Sequence, residues 1–381
     1  MRYVPAAFLR EGMTVAKTLY GKNNERLLVR GVTLNEKIIQ SIRRLKIPGL
    51  YIDDDISRDI ENIGIISDEL RLKTIDGLKS IFQSVSSGAR ITEDSLTVVR
   101  ARIESIIDEL MENKNVMINM FDLKCFDDYT YSHCVNAAVL SVIIGMAMNL
   151  DRETLSRLAM SAVLHDIGKM FVDKSILNKP AVLTKEEFDH IRQHSILGYN
   201  YARESFLLSN ACHPGIRDHH ERFDGSGYPD GKTGSEISLF GRIISVADVY
   251  DALTSERPYR SAMSPSEAME YIMGHSGTEF DPSIVSSFLR SVAPYPVGST
   301  VLLSNGCTAI VVENYANFGL RPKVRVIADH GEPVQPYEIN LSTDFNALSV
   351  TIVGMIEPPA DKQEEENAKN GENGRPGIFL P

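Results

Sequence analysis

The sequence predicts a mainly α protein, with a central helical bundle between a small N-terminal α/β unit and a small C-terminal β domain. Three observations carry this expectation. Between Ser67 and Leu289, apolar residues recur at the three- and four-residue spacing of amphipathic helices. Before Asp55, strand-like and helix-like runs alternate. After Pro294 only short β-like runs remain. A chain of 381 residues has room for two or three domains, each with its own core. The expected division is 1–58 as an α/β module with a regulatory role, 59–118 as a helical connector, 119–292 as the bundle, 293–357 as the β domain, and 358–381 as a disordered tail.

In the first unit, Met13 to Leu19 reads as a strand, Gly21 to Glu25 as a turn and Arg26 to Val29 as a second strand. Thr33 and Glu36 have the spacing of a capping box, ahead of a short helix with Ile38, Ile39, Ile42 and Leu45 on one face. Gly49 to Asp53 reads as another strand. In the connector, Leu96, Val99, Ile103, Ile106 and Leu110 form an a/d seam too short for a confident coiled coil. The expectation is a helix packed on its own domain; the alternative is a dimerising or signal-relaying helix. Val135, Val139, Val142, Ile143, Met146 and Leu150 make one apolar face. Asp151, Thr184 with Glu187, and Ser264-Pro265 with Glu267 mark further helix starts. Beyond Pro294, Thr300 to Leu303, Thr308 to Glu313 and Lys323 to Ile327 read as strands, with turns at Ser304-Asn-Gly and His330-Gly-Glu-Pro. From Pro358 onward, Glu, Asn, Lys and Gly dominate, which predicts disorder.

Composition narrows the function. The chain is 43% hydrophobic and 24% charged, as in ordinary globular proteins, and its formal charge is -11 without any Lys/Arg run. That argues against polymeric nucleic acid or a membrane surface as partner. An anionic substrate would need positive charge supplied locally. The cysteines Cys125, Cys134, Cys212 and Cys307 form no C-x-x-C pair, against both a zinc ribbon and a secreted disulfide framework. The amino terminus lacks the apolar core of a signal peptide, and Ala137 to Leu150 is too short to span a bilayer. A cytoplasmic protein without membrane insertion is expected.

The chemistry concentrates in one segment. Seven of the nine histidines lie between His133 and His220. Histidine is the commonest metal-binding side chain, and its clusters with aspartate suit divalent first-row ions. His133, the His165-Asp166 dyad, His194, the His219-His220 pair and Asp248 fall in separate expected elements, as a site assembled inside a helical bundle requires.

His165-Asp-Ile-Gly-Lys169 followed by His219-His-Glu-Arg-Phe-Asp-Gly-Ser-Gly-Tyr-Pro229 resembles the HD-GYP family of the HD phosphohydrolase superfamily. Ala247-Asp-Val-Tyr-Asp-Ala-Leu253 and Arg257-Pro-Tyr-Arg260 fit the same pattern, and the resemblance covers about Asp122 to Arg290. It implies an HD-type helical bundle that hydrolyses cyclic di-GMP to pGpG and, in some members, to GMP. The physical chemistry agrees: a phosphodiester is a poor, anionic electrophile. Two cations roughly 3.5–4 Å apart can clamp its oxygens and acidify a water between them. By resemblance, Asp166 bridges two divalent ions, typically iron with manganese often competent. His133, His165 and Asp248 complete one shell; His194 with one or both of His219 and His220 completes the other. Members with a third ion use a glutamate where this chain has Tyr129, so a binuclear site is expected. Lys169 would be catalytic and substrate-binding, and Arg257 and Arg260 would bind phosphate oxygens.

Gly225, Gly227, Tyr228 and Pro229 form a turn-rich loop that aims the histidine pair, and Asp224 is a candidate hydrogen-bond partner of a ligating histidine. The resemblance also implies a GGDEF-domain partner at this loop; a homodimer would use the connector seam. The alternatives are an HD phosphohydrolase acting on another nucleotide phosphoester and a receptor that binds cyclic di-GMP without turnover. An inactive member would be expected to lack HD or HH ligands, and all are present.

Overall fold

A computed structural model of the protein describes residues 1–21, 25–45, 47–61, 64–113, 117, 129–177, 179, 181–205, 208–255, 262–315 and 318–356. The chain forms two compact units, one made from Met1–Ile63 with Tyr295–Pro381 and the other from Gly64–Pro294. The stretches expected as an N-terminal module and a β domain therefore fall in one unit, and the connector falls in the bundle's unit.

In the first unit, β1 (Arg2–Pro5) and β2 (Thr14–Val15) flank β5 (Gly49–Asp53), and β3 (Leu19–Tyr20) pairs with β4 (Arg26–Leu28), all antiparallel. Helix α1 (Glu36–Arg44) buries Ile39 and Ile42. Its cap differs from the expected Thr33–Glu36 box. Asn35 accepts from the Ile38 amide at 3.0 Å, and the Glu36 amide instead donates to Glu11 at 2.7 Å. Asn35 is the residue directly before the first turn, and its side-chain carbonyl is a better N-cap acceptor than a Thr hydroxyl.

Strands β6 (Thr300–Leu303), β7 (Cys307–Glu313), β8 (Lys323–Asp329), β9 (Glu332–Asn340) and β10 (Ile352–Met355) form an antiparallel sheet in the order β10-β6-β7-β8-β9. Val301, Leu303, Ala309, Val311, Val324 and Val326 alternate into its core. β9 went unforeseen because it is a largely exposed edge carrying Pro333 and Pro336, with little apolar alternation to read. The Tyr3 amide donates to Gly298 at 2.8 Å, and Arg325 pairs with Asp59 and Glu338, each at 2.6 Å, so both ends of the sequence stabilise one unit. Residues 358–381, expected as a tail, lie outside the described residues.

The second unit is helical. It comprises α2 (Asp68–Ser86), α3 (Glu93–Glu112), α4 (Tyr129–Ala147), α5 (Arg152–Val163), a 3-10 turn (Ile167–Phe171), α6 (Lys174–Leu177), α7 (Lys185–Arg192), α8 (His194–Ser205), α9 (His213–Asp218), α10 (Leu239–Thr254), α11 (Pro265–Gly274) and α12 (Pro282–Ser291). Asp151, Thr184 and Ser264 cap the helices they were expected to start, the last two through full capping boxes. Leu96, Val99, Ile103, Ile106 and Leu110 are all buried inside the unit, where α3 packs on α2 and α5. The seam is thus used within the chain. Helix α4 runs through the middle, packed by α5, α10, α12 and α2. Its segment Thr130–Ala147 is long and apolar enough to cross a membrane, yet 72% of it is buried inside the protein, as in a core helix.

Candidate metal centre

Five elements deliver the polar cluster. His133 comes from α4, His165 and Asp166 from the turn after α5, His194 from the start of α8, His219 and His220 from the end of α9, and Asp248 from α10. Bringing Asp166 beside His194 requires close backbone approach. A Cβ on Gly168 would lie 1.9 Å from the His194 carbonyl oxygen, so only glycine lets the 3-10 turn reach α8.

The ligand atoms sort into two groups, His133 with His165 and Asp166, and His194 with His219 and His220; within each they lie within 4.8 Å of one another. Asp166 faces both: its Oδ2 is 3.4 Å from His165 Nε2 and its Oδ1 is 3.5 Å from His194 Nε2. Asp248 Oδ1 stands 2.9 Å from His133 Nε2 and 4.0 Å from His165 Nε2, and its Oδ2 is 4.0 Å from His220 Nδ1. Lys169 Nζ donates to Asp166 Oδ2 at 2.7 Å.

Hydrogen bonds fix the histidine tautomers. His165, His194 and His219 donate from Nδ1 to the carbonyls of Ala162, Ile191 and Ile216 at 2.7, 2.8 and 2.8 Å. A carbonyl only accepts, so each neutral ring is left with an Nε2 lone pair facing inward. His194 Nε2 and His219 Nε2 are then two acceptors 3.2 Å apart. Such a pair repels alone but suits ligands about 2.1 Å from a common ion, which stand roughly 3 Å apart. His165 Nε2, Asp166 Oδ1 and His220 Nε2 are buried without a hydrogen-bond partner. Buried polar atoms without partners are costly, and a cation would satisfy all three. The residues therefore fit a divalent metal site, built from nitrogen and carboxylate donors without thiolate.

Protonation states favour ligation. Burial lowers the His194 pKa to about 4, with Lys169 acting in the same direction against Asp166. Burial and neighbouring imidazoles push His219 and His220 well below the usual histidine range. All three are neutral near pH 7, as ligands must be. Burial alone would raise the Asp166 pKa, but Lys169 and His165 outweigh it and hold the carboxyl ionised. His133 goes the other way: burial opposes its charge, yet Asp248 and Asp251 together raise its pKa to about 9.

Asp251 is a buried partner of His133 that the motif reading did not single out. It lies three residues after Asp248 on α10 and is buried. Its carboxylate accepts from His133 Nδ1 at 2.7 Å and from Asn136 Nδ2 at 2.9 Å, which turns His133 Nε2 toward Asp248. The helical spacing from Asp248 was the available signal. Asp224, expected beside a ligating histidine, is exposed, and its Oδ1 accepts from Ser226 N and Oγ instead, closing a local turn. Arg257 and Arg260 lie outside the described residues.

The Gly225–Pro229 loop adjoins the histidine pair. A Cβ on Gly227 would lie 2.2 Å from the Arg222 amide nitrogen, and the Tyr228 ring stacks on His220 at 4.8 Å and 26°. The Tyr228 hydroxyl is buried without a partner, and burial and then Asp248 and Asp166 raise its pKa. Glu221, also missed, anchors the loop by accepting from the amides of Asp230 and Lys232 at 2.6 and 3.0 Å.

Comparison with known proteins assigns the class. Residues 115–284 match the family described as HD domain, and residues 300–363 match the KOW domain associated with HD domain. The helical unit is an HD domain. Its histidine pair and Gly-Tyr-Pro loop are similar to those of HD-GYP proteins. A cyclic di-GMP phosphodiesterase of Pseudomonas aeruginosa is 35% identical over 59% of this chain and 55% of its own length. A cyclic di-GMP phosphodiesterase response regulator of Xanthomonas campestris is 40% identical over 40% of each chain. A 3'3'-cGAMP-specific phosphodiesterase of Vibrio cholerae is 36% identical over 50% of this chain and 43% of its own. The chain thus spans about half the length of these relatives.

Proposed function

We propose that this protein is a metal-dependent phosphodiesterase that hydrolyses cyclic di-GMP to pGpG, and onward to GMP. The observation that carries this reading is Asp166, whose two carboxylate oxygens face different histidine groups at 3.4 and 3.5 Å. In this reading Asp166 would be shared by two divalent ions, iron or alternatively manganese. His133, His165 and Asp248 would hold one, and His194, His219 and His220 would hold the other. When bound, such a pair supplies positive charge at the phosphodiester and a water acidified enough to attack near neutral pH. The chain's own groups do the rest. The carbonyl-locked imidazoles keep the Nε2 atoms aimed inward without reorganisation. Lys169 holds Asp166 and offers its ammonium to a phosphate oxygen, with Arg257 and Arg260 as further phosphate ligands. The Gly225–Pro229 loop supports the face of His220 and walls that side from water.

A second substrate reading, a mixed guanine–adenine cyclic dinucleotide, is favoured by the Vibrio relative. A GGDEF-domain partner at the loop rests on the resemblance alone. A homodimer would need a surface other than the α3 seam, which is buried within the chain. A cytoplasmic location fits a nucleotide substrate. The test is anaerobic reconstitution with iron or manganese, then chromatography of products from cyclic di-GMP and from the mixed dinucleotide. Linear products support the reading. Metal loading with unaltered dinucleotide would favour the receptor reading.

A further inference from the structure

A cyclic dinucleotide carries two phosphates, and only one can be cleaved at a time. The other brings a full negative charge to an acidic protein and requires a cation away from the metal centre. Arg192, the last residue of α7, is in position to supply one. Its guanidinium carbon lies 4.5 Å from the centroid of the Tyr228 ring, and the same ring stacks on His220. One aromatic ring therefore separates this cation from a ligating histidine. Arg192 is 36% exposed, and its ion pair is with Asp189 at 3.2 Å, one helical turn away and half exposed. Such a surface pair is worth little and is readily exchanged for a better anion. Arg222 pairs at 3.4 Å with Glu279, whose side chain is only 12% exposed. Lys169 is held by Asp166 at 2.7 Å. Of these three cations Arg192 has the most exposed carboxylate partner, Asp189 at 50% against 12% for Glu279 and 2% for Asp166, and so the one most readily exchanged for phosphate.

We propose that Arg192 binds the phosphate that is not being cleaved, and so selects cyclic dinucleotides over diesters with a single charge. The aromatic face beneath it orients the guanidinium, and the planar fork presents two donors to phosphate oxygens. This rests on the phosphodiesterase reading above.

The experiment compares wild type, Arg192→Ala and Arg192→Lys in the metal-loaded full chain, on cyclic di-GMP and on bis(p-nitrophenyl) phosphate, a diester with one negative charge. Arg192→Ala is expected to lower kcat/KM for cyclic di-GMP about tenfold more than for the single-charge diester. The loss should appear mainly in KM, and Arg192→Lys should recover part of it. Equal losses on both substrates, a loss confined to kcat, or no loss on cyclic di-GMP would overturn the proposal. The phosphodiesterase reading fails separately, if metal-loaded wild type cleaves the single-charge diester and no cyclic dinucleotide.

Discussion

Replacing Asp251 by asparagine probes how the cluster is held without touching a proposed ligand. The carboxylate is buried and takes two hydrogen bonds, from His133 Nδ1 at 2.7 Å and Asn136 Nδ2 at 2.9 Å. Asparagine keeps the shape and removes the charge, so its amide can present only one acceptor to two donors. Loss of a carboxylate behind a ligating histidine typically lowers metal affinity about 10–100-fold, roughly 1.4–2.7 kcal/mol. His133 would also lose part of the charge stabilisation that raises its pKa to about 9. The assay is competition between the protein and a chelator of known affinity, with circular dichroism to establish folding. A folded Asp251→Asn protein that binds metal within twofold of wild type would refute the positioning role.

Asp166→Ala should abolish both bound metal and turnover, read by elemental analysis and product chromatography, because Asp166 stands 3.4 and 3.5 Å from the two groups, whereas Asp248 comes only within 4.0 Å of the second. In metal-free protein, His194 falls from an ordinary 6.5 to about 4 on folding. It contributes nothing above pH 6.5; as pH falls below that, the unfolded chain takes up the proton first and stability is lost down to about pH 4, by roughly 3 kcal/mol. His219 and His220 act in the same direction, while His133 opposes them, stabilising below pH 6.5 and losing that effect as pH rises through about 9. The urea midpoint of metal-free protein should therefore be lower at pH 5 than at pH 7. Gly227→Ala forces a Cβ into the Arg222 amide nitrogen, at a cost of about 1–3 kcal/mol, and should depress activity more than metal content. Arg325→Ala should loosen the unit joining residues 1–63 to the β-sheet by about 1 kcal/mol, read as faster limited proteolysis there.

Much of the site was legible because its residues are chemically distinctive and closely spaced in sequence. The His165-Asp166 dyad and the His219-His220 pair announce themselves, and the helix starts at Asp151, Thr184 and Ser264 follow from capping chemistry alone. Asp251 was harder to see. A carboxylate one turn from Asp248 looks like an ordinary helix residue until the fold brings His133, over a hundred positions away, within 2.7 Å of it. The misassigned Asp224 shows the reverse: proximity in sequence to two histidines suggested a partner, but the nearer Ser226 amide and hydroxyl claimed the carboxylate. At fold level, the joining of residues 1–63 with the β-sheet was invisible, because it rests on long-range contacts such as Arg325 with Asp59. Strand β9 was missed because an exposed edge carries no apolar period.

Two divalent ions sharing Asp166 are the core of the proposed chemistry, and counting them is the most direct test. Protein reconstituted anaerobically with iron or manganese, freed of loosely held ions and analysed for metal per chain, should retain about two equivalents, and Asp166→Ala should retain none. One tightly held ion in wild type, three, or an Asp166→Ala protein that keeps both would contradict it.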